Sequence, residues 1–395
     1  MLLHALAVTL FIGALAGPAD AAELSDLQRT AQAVVRTGPV GHLARVNDGR
    51  TVRTATAGLA DRATKRKLRN QDQYEAGSQT KTFMAVLTLQ LVSERKVALD
   101  APIERYLPDR IPNGANITVR MLLQQTSGLF NYTDDGPLTG QLLAAPETPV
   151  SPERLLHAAF SHPPVFAPGA GWAYSNTNYV IIGKMLEEVT GKSLATLLEL
   201  RIARPLRLHD TYLADPFPNR TGRGYAHTYL ADVGAKPVQY TDTTGWPLSW
   251  AGAAGAVVST AQDLSTFYSG LLAGKVLPAL QMRQMRTTVD ATHYFGAPSG
   301  YGLGIVRTKT SCGTIWGHDG ATFGSISATY ASADGRRTFA GETNTRPYAT
   351  DQRDPRRLKF SAALAEAQIT GICQMFGKKV SSAGRATGAL ELNRF

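Results

Sequence analysis

The sequence predicts an α+β fold: an antiparallel sheet flanked by terminal helices, with a mainly helical region inserted between the two parts of the sheet. Three observations support this prediction. Strand-like segments occur near both ends of the chain, whereas the residues between them show helical periodicity. Asp48-Gly49 and Asp334-Gly335 each separate two strand-like segments, and Asp-Gly is a common hairpin turn.

The individual elements follow this order along the chain. The first hairpin is expected at 43–46 and 51–56, and the next helix begins after Ser78 and ends near Lys96. Further helices are predicted at 119–124, 152–159, 179–190, 193–201 and 261–272. Strands return at 302–307, 314–317, 325–330 and 338–342, and a final helix is predicted at 355–369.

Residues 22–375 contain no internal repeat and no low-complexity linker, so they are expected to form one folded unit. Its sheet region is predicted at 22–77 and 286–375, and its helical region at 78–285. The two parts of the sheet meet only if the helical region folds back on them. A cleft between the sheet and the helical region is therefore the expected ligand site.

The two ends of the chain differ in composition from this unit. Residues 1–21 are typical of a secretory signal peptide, because an apolar stretch at 2–15 leads to a small-x-small cleavage site, Ala19-Asp20-Ala21. A buried N-terminal helix is the alternative, but Gly17-Pro18 would break it. No later apolar run reaches the roughly 18 residues that span a bilayer, so a secreted protein without a transmembrane anchor is expected. Residues 376–395 are predicted to be a mobile tail.

Composition and charge narrow the possible partners. Hydrophobic residues make up 43% of the chain and charged residues 18%, which excludes wholesale disorder. The formal net charge of +10 favours contact with an anionic cell envelope. Nucleic acid is not an expected partner, because no basic run is interleaved with stacking aromatic residues. Two cysteines in an exported chain favour one disulfide, with two unpaired buried thiols as the alternative.

The first motif with catalytic potential is Ser78-Gln79-Thr80-Lys81. Residues i and i+3 share one helix face, so the Lys81 amine is expected beside the Ser78 hydroxyl. In the first turn of a helix, the backbone dipole favours negative charge on that hydroxyl. An ordinary N-cap serine is the alternative. A second Ser-x-x-Lys, at 93–96, falls at the other end of the same helix and is expected at the surface.

The second motif is Tyr174-Ser175-Asn176, the only Tyr-x-Asn in the sequence. A tyrosine near a lysine ionises more easily and takes a proton from a serine. The carboxamide of Asn176 both donates to and accepts from a substrate amide. A loop aromatic residue followed by a helix cap is the alternative.

The third motif is His318-Asp319-Gly320, the only His-x-Gly in the sequence, and it is predicted just after a strand. Glycine at this point lets an extended backbone come close to a ligand. A purely structural histidine is the alternative. Other histidines, such as His157 and His162, lack ligand-like spacing with Asp, Glu or Cys, so no metal site is predicted.

The order Ser-x-x-Lys, Tyr-x-Asn, His-x-Gly is far more specific than any one of these motifs. Ser-x-x-Lys occurs with a Lys-Thr-Gly partner in β-lactamases and penicillin-binding proteins. The chain resembles these serine β-lactamase-like hydrolases, and within them the soluble secreted D-alanyl-D-alanine carboxypeptidases, with class C β-lactamases and family VIII esterases as relatives. The resemblance covers about 43–373 and includes 122–129, Pro168-Gly169, Ser249-Trp250 ahead of Ala254-Gly255, and 301–304.

The resemblance implies a role for each motif. Ser78 corresponds to the acylated nucleophile, and Lys81 and Tyr174 to the pair that removes its proton and supplies one to the leaving group, in an order that the sequence leaves open. The implied substrate-binding residues are Asn176 for the acyl amide, Trp250 for a cleft wall, His318 and Gly320 for the strand edge, and Ala321, whose N–H joins that of Ser78 in an oxyanion hole. Cys312 and Cys373 fall where those carboxypeptidases carry their disulfide. No metal or organic cofactor is implied.

Two departures from these relatives concern the substrate. Carboxypeptidases of this kind usually read His-Thr-Gly-Thr, where the hydroxyls help to hold the substrate's terminal carboxylate, but this chain reads His-Asp-Gly-Ala at 318–321, which places the Asp319 carboxylate at that point. The arginine of the neighbouring strand aligns with either Val306 or Arg307, so Arg307 is expected to serve if it faces the cleft.

These observations predict a serine acyl-transfer hydrolase that resembles a D-alanyl-D-alanine carboxypeptidase and acts on a small peptide. The first alternative keeps the same catalytic residues but acts on esters, β-lactams or D-amino-acid amides. The second alternative is a non-catalytic penicillin-binding module.

Overall fold

The structure, a computed structural model, describes residues 25–214, 216–218, 224–348 and 353–380. The predicted signal peptide at 1–21 and residues 381–395 of the predicted tail lie outside the described residues. Within these four ranges, no helix is both long enough and apolar enough to cross a membrane.

The described residues form α-helices and β-strands that are numbered here in chain order. The helices are α1 (Asp26–Arg36), α2 (Thr80–Ser93), α3 (Val119–Gln124), α4 (Gly136–Ala144), α5 (Pro152–Phe160), α6 (Asn176–Thr190), α7 (Leu194–Leu198), α8 (Arg204–Leu206), α9 (Gly252–Gly255), α10 (Ala261–Leu272), α11 (Ala279–Arg286), α12 (Thr292–Phe295) and α13 (Pro355–Met375). The strands are β1 (Gly41–Asn47), β2 (Val52–Gly58), β3 (Tyr74–Glu75), β4 (Tyr212–Leu213), β5 (Tyr229–Asp232), β6 (Gln239–Asp242), β7 (Val257–Ser259), β8 (Val289–Asp290), β9 (Ser299–Tyr301), β10 (Val306–Lys309), β11 (Thr314–Ala321), β12 (Ile326–Ser332), β13 (Thr338–Thr343) and β14 (Thr345–Tyr348).

Eight strands form a central antiparallel sheet in the order β2-β1-β13-β12-β11-β10-β9-β8. The N-terminal hairpin joins the C-terminal strands where β1 pairs with β13, with Leu43 opposite Glu342. Two three-stranded sheets, β3-β7-β4 and β14-β5-β6, accompany the central sheet. The predicted fold class, an antiparallel sheet from both chain ends around an inserted helical region, is confirmed.

The central sheet buries a different set of side chains on each face, as strand alternation requires. Ala328 and Tyr330 of β12 pack with Leu27 of α1 and Ile369 of α13. The next residue, Ala331, belongs to the core formed with α2 and α10. Every residue of α2 from 80 to 89 is buried, so this helix runs through the middle of the second core. The first turn of α2 is thereby held on a rigid element.

The predicted disulfide is present: Cys312 and Cys373 are bonded, with Cα atoms 5.1 Å apart. It ties the C-terminal part of α13 to the turn between β10 and β11. Closing a loop across 61 residues contributes about 4 kcal/mol in the chain-entropy model.

Two predicted strand boundaries are wrong, and a glycine explains the first. The segment 302–307 is not one strand, because β9 ends at Tyr301 and β10 begins at Val306. Gly304, with φ +70°, lies in the intervening turn, where a side chain would meet the backbone of Lys81. Conversely, β11 does not end at residue 317 but continues to Ala321, so the His-x-Gly motif lies within a strand. The short strands β3–β7 were also not predicted, since two to four residues carry too little periodicity.

Candidate active site

A cleft of about 440 Å³ lies between β11 and the helical region, where the topology places it. Ala321 lines this cleft, and so do the side chains of four other residues that the sequence predicted for the site: Ser78, Tyr174, Asn176 and Trp250. A second cavity, of about 410 Å³, lies behind α9 and is lined mainly by apolar side chains such as Leu155 and Val180. Lys184, Ser151 and Ser249 also line that cavity, but Lys184 forms an ion pair with Glu153, and neither serine is hydrogen-bonded to it in the described residues. The first cleft is therefore the candidate active site.

Two glycines bring the turn that carries Ser78 against β11. Gly77 has φ +56°, and a Cβ there would lie 2.6 Å from the backbone nitrogen of Ala321. A Cβ on Gly320 would lie 2.1 Å from the carbonyl oxygen of Ala76 and 2.7 Å from the backbone nitrogen of Ser78. Because neither position tolerates a side chain, the two backbones approach each other closely, and the peptide units of Ser78 and Ala321 line the same point of the cleft.

The amine of Lys81 lies at the bottom of the cleft and is fully buried. Its Nζ is 2.7 Å from Asn176 Oδ1, 2.7 Å from the carbonyl oxygen of Ala254 and 3.1 Å from Ser78 Oγ. Burial lowers the pKa of Lys81 well below its ordinary value, and the Asp319 carboxylate partly opposes this shift. A neutral amine has two N–H donors and one lone pair. The two shorter contacts are to acceptors that hold no proton, so the lone pair is left facing the Ser78 hydroxyl.

The orientation of Asn176 is fixed by a chain of hydrogen bonds. Asn131 Oδ1 accepts from the backbone N–H of Asn176, and Asn176 Nδ2 donates to Asn131 Oδ1 and to Thr133 Oγ1. Only Oδ1 of Asn176 is then available to Lys81. Asn176 therefore acts first as a holder of the lysine amine.

Tyr174 lies beside Ser78 in the same cleft, close enough for the Ser78 hydroxyl to affect the pKa of the Tyr174 hydroxyl. Its ring stacks on Tyr294 with centroids 5.1 Å apart, and Lys81 Nζ lies 4.9 Å from its ring centroid. Burial raises the pKa of the Tyr174 hydroxyl well above its ordinary value, and the neighbouring tyrosines Tyr301 and Tyr294 add to the shift. Tyr174 is therefore a neutral proton donor at pH 7, while Lys81 is poised as an acceptor.

His318 lies beneath Tyr174 rather than in the cleft. It is buried, and its ring nitrogens contact the carbonyl oxygen of Asp319 at 2.6 Å and the Tyr301 hydroxyl at 3.2 Å. The Asp319 carboxylate lies 3.4 Å from the same ring. The contacts of His318 thus support the aromatic cluster and the edge of β11 from behind.

The structure brings Trp250 into the cleft but not Arg307. Trp250 packs against Phe323 with ring centroids 4.8 Å apart, and its carbonyl oxygen accepts from Tyr132. Val306 packs in the aromatic cluster beside Tyr174, and its neighbour Arg307 is exposed on the opposite side of the strand. Arg307 was expected to serve the site on the condition that it faces the cleft, and in this structure Val306 occupies the inward position instead.

Sequence reasoning missed two charged residues of the cleft, Asp134 and Arg346. Asp134 is exposed at the cleft, and its carboxylate lies near the Asn131 side chain. Arg346 belongs to β14, is mostly buried, and donates to the carbonyl oxygen of Thr322 at 3.1 Å. Burial and the nearby Arg357 lower the pKa of Arg346 to about 10, so the guanidinium stays charged at neutral pH. Neither residue belongs to a local motif, so no local signal identified them.

A buried polar network lies behind the approach of Ser78 to β11. The Glu75 carboxylate, three residues before Ser78, accepts a hydrogen bond from Thr322, which directly follows Ala321. Ser325 lies 3.2 Å from the Glu75 carbonyl oxygen and 3.2 Å from Glu342 Oε1. Burial raises the pKa of Glu342 well above its ordinary value, and Glu75 adds to the shift. The network links the two backbone segments that meet at the cleft.

Comparisons with known proteins agree with this geometry. The sequence model of the family described as Beta-lactamase matches residues 28–364. Esterase EstB of Burkholderia gladioli is 32% identical over 205 residues, which are 48% of this chain and 50% of the esterase. A D-aminopeptidase of Cereibacter sphaeroides is 26% identical over 76% of this chain and 55% of its own length. The chain thus spans about half the length of these curated relatives.

One solved structure is similar over most of both chains. A D-stereospecific amidohydrolase from Streptomyces sp. superposes with a TM-score of 0.72 and 36% identity, covering 80% of this chain and 93% of the other. The family predicted from the three motifs is confirmed. The chain belongs to the beta-lactamase family and has the fold of its members.

Proposed function

We propose that this protein hydrolyses amide bonds of D-amino-acid derivatives that carry a free amino group, through an acyl-enzyme on Ser78. The observation that carries the proposal is Asp134, the one acidic side chain among the described residues that line the cleft. A carboxylate at the mouth of an otherwise uncharged or cationic cleft favours a substrate ammonium. Relatives named D-aminopeptidase and D-stereospecific amidohydrolase support the same substrate class.

In the proposed mechanism, neutral Lys81 takes the proton of Ser78 as its oxygen attacks the amide carbon. The N–H groups of Ser78 and Ala321 stabilise the negative oxygen of the tetrahedral intermediate. Tyr174 donates its proton to the leaving nitrogen as the C–N bond breaks, and the Lys81 ammonium restores that proton. Water then attacks the acyl-enzyme by the same steps in reverse order and releases the acid.

The remaining residues hold the substrate and the catalytic groups. Asn176 orients Lys81 and offers its amide to the acyl part, and Trp250 forms an apolar wall. Gly320 allows β11 to reach Ser78, and His318 supports Tyr174. The predicted signal peptide and the net charge of +10 are consistent with a secreted enzyme that meets an anionic envelope.

The test is to compare D-alaninamide, its N-acetylated form and L-alaninamide as substrates. We expect the free D-amide to have the highest kcat/KM, and Asp134→Asn to lower it about 1.5- to fivefold, because one exposed charge pair contributes about 0.2–1 kcal/mol. Asp109→Asn removes a remote exposed carboxylate and should change nothing. If wild-type enzyme cleaves the N-acetylated D-amide as well as the free amide, the proposal fails.

The same assay decides between the other two activities expected from the sequence. The relative named esterase favours esters, so a 4-nitrophenyl ester cleaved without any D-amide turnover would support an esterase. Release of D-alanine from N-acyl-D-alanyl-D-alanine faster than any amide turnover would support the D-alanyl-D-alanine carboxypeptidase. The exposed position of Arg307 gives that last activity less support.

A further inference from the structure

We propose that Arg346 binds a carboxylate on the acyl side of the scissile bond, so that the preferred substrate carries an acidic D-residue at that position. This inference rests on the proposed function for the direction in which the substrate lies. It names the substrate class of the same site.

The first argument is the environment of Arg346. Its guanidinium lines the cleft and has one hydrogen-bond partner among the described residues, the carbonyl oxygen of Thr322, and no carboxylate within ion-pair distance there. The nearby charge that affects it is another cation, Arg357. A mostly buried cation without a counter-ion is costly, and a substrate carboxylate in the cleft would remove this cost. A planar guanidinium also suits two-point binding of a carboxylate.

The second argument is the order of groups along β11. Tyr174 packs against His318 with ring centroids 6.3 Å apart, whereas Arg346 contacts Thr322, four residues further along. Four residues of extended chain span about 13 Å. Ala321, with the proposed oxyanion N–H, lies between them. Tyr174 protonates the leaving nitrogen, so the leaving group lies towards His318 and Arg346 lies on the acyl side.

The third argument is that the cleft holds both signs of charge without pairing them. Asp134 and Arg346 line the same cleft and form no ion pair with each other in the described residues. A D-aspartyl or D-glutamyl residue with a free amine carries the complementary pair: an ammonium for Asp134 and a side-chain carboxylate for Arg346. A volume of about 440 Å³ accommodates such a residue.

The experiment compares two nearly isosteric substrates, the α-amides of D-glutamate and D-glutamine. We expect wild-type enzyme to prefer the D-glutamate α-amide at least about tenfold in kcat/KM. Arg346→Gln should abolish this preference by lowering kcat/KM for the D-glutamate α-amide to the level of the D-glutamine α-amide, and Arg346→Lys should retain part of the preference. Arg307→Gln removes the same charge outside the cleft and should leave the preference unchanged. Equal turnover of both amides by wild-type enzyme would overturn the inference.

Two further arms separate the possible sources of the carboxylate and the possible failures. If Arg346→Gln instead slows D-alanyl-D-alanine relative to D-alanyl-D-alaninamide, Arg346 binds the leaving group and the acyl-side assignment is wrong. The mono-4-nitrophenyl ester of glutarate and its methyl ester require only acyl transfer at Ser78. If the enzyme prefers the charged ester, this preference depends on Arg346 and no D-amide is hydrolysed, the carboxylate site is supported and the proposed function is contradicted. If D-amides are hydrolysed in a manner that depends on Asp134 but the charged substrates are not preferred, the proposed function is supported and the carboxylate site is contradicted.

Discussion

The proposed catalytic centre and the proposed substrate rim of the cleft differ in how their polar groups are satisfied. The proposed centre consists of Ser78, Lys81, Tyr174 and Asn176, and its fully buried amine has a partner in each of three directions. The substrate rim consists of Asp134, Trp250, Phe323 and Arg346. Its carboxylate is exposed at the cleft mouth, and its guanidinium has one partner among the described residues.

This difference separates reaction chemistry from substrate choice. Groups that must transfer protons at fixed distances are held on α2, the first turn of α6 and the edge of β11, all of which belong to packed cores. Groups that select a substrate need unsatisfied capacity, because the substrate supplies their partner. Changes in the centre should therefore affect every substrate equally, whereas changes in the rim should alter the ranking of substrates.

The largest effect should follow Ser78→Ala. Without the hydroxyl no acyl-enzyme forms, so turnover of esters and amides alike should fall on the order of 10⁴-fold or more. Intact-mass spectrometry during incubation with benzylpenicillin or a slow ester should show no adduct, and thermal unfolding should be unchanged. Ser93→Ala is the matched control, because Ser93 is an exposed serine of the same helix followed by x-x-Lys. Substantial residual turnover in Ser78→Ala would place the nucleophile elsewhere.

A smaller but still general loss should follow Lys81→Met, which keeps the buried methylene chain and removes the amine. Loss of a general base costs roughly 10²- to 10⁴-fold, and kcat should fall for both charged and neutral substrates. Lys96→Met, at the exposed end of the same region, should be silent. A Lys81→Met variant that loses activity towards acidic substrates alone would contradict the separation of centre and rim.

The pH profile tests the same amine without a mutation. Burial lowers the pKa of Lys81, so the neutral base persists to lower pH than an ordinary lysine allows. The acid limb of kcat/KM should therefore fall well below 10.5, the ordinary value. The raised pKa of Tyr174 places any loss of the proton donor above pH 10. An acid limb near the ordinary lysine value would show that Lys81 is not the base.

The sequence predicted the centre well because its motifs are local. Ser78 and Lys81 are one helical turn apart, and Tyr174 and Asn176 are adjacent to a helix start, so spacing alone places each pair. The fold class was predicted from two hairpin turns and from the change between them from strand-like to helical hydrophobic periodicity. The family resemblance then joined motifs that are distant in sequence.

The charged residues of the rim were not predicted from the sequence, because their positions depend on long-range strand pairing and on which face of a strand each residue occupies. Arg346 reaches the cleft on β14, which pairs in parallel with β5 more than a hundred residues earlier. The sequence left Val306 and Arg307 as alternatives for the inward position of β10, because the length of the turn at 302–305 determines which of the two faces the cleft. A shift of one residue exchanges the two faces of a strand, and here it favours Val306.

The smallest effect concerns Glu342, one of several side chains near the centre with a buried polar atom that has no hydrogen-bond partner among the described residues. Its Oε2 is buried without a hydrogen-bond partner in the described residues, and its pKa is raised well above the ordinary value by burial and by Glu75. A carboxyl group whose pKa is higher in the folded state than in the unfolded state contributes to stability below its unfolded-state pKa. This contribution is lost as the pH rises through the folded-state pKa. Wild-type stability should therefore decline from about pH 4.5 upward, by at most about 1.4 kcal/mol per pH unit for this one carboxyl group.

Glu342→Gln keeps the size of the side chain and removes the titrating group, so this decline should flatten, and the stability of the variant relative to wild type should rise between pH 5 and pH 8. Denaturant unfolding at pH 5 and pH 8 measures both slopes. Thr322→Val changes the same network without removing a carboxyl group and should leave the slope as it is. If Glu342→Gln shows the same pH dependence as wild type, the titrating group lies elsewhere. If instead the variant changes the ranking of charged and neutral substrates, the network behind Ser78 also contributes to substrate choice. The residues that select the substrate would then include buried side chains of the central sheet as well as those of the rim.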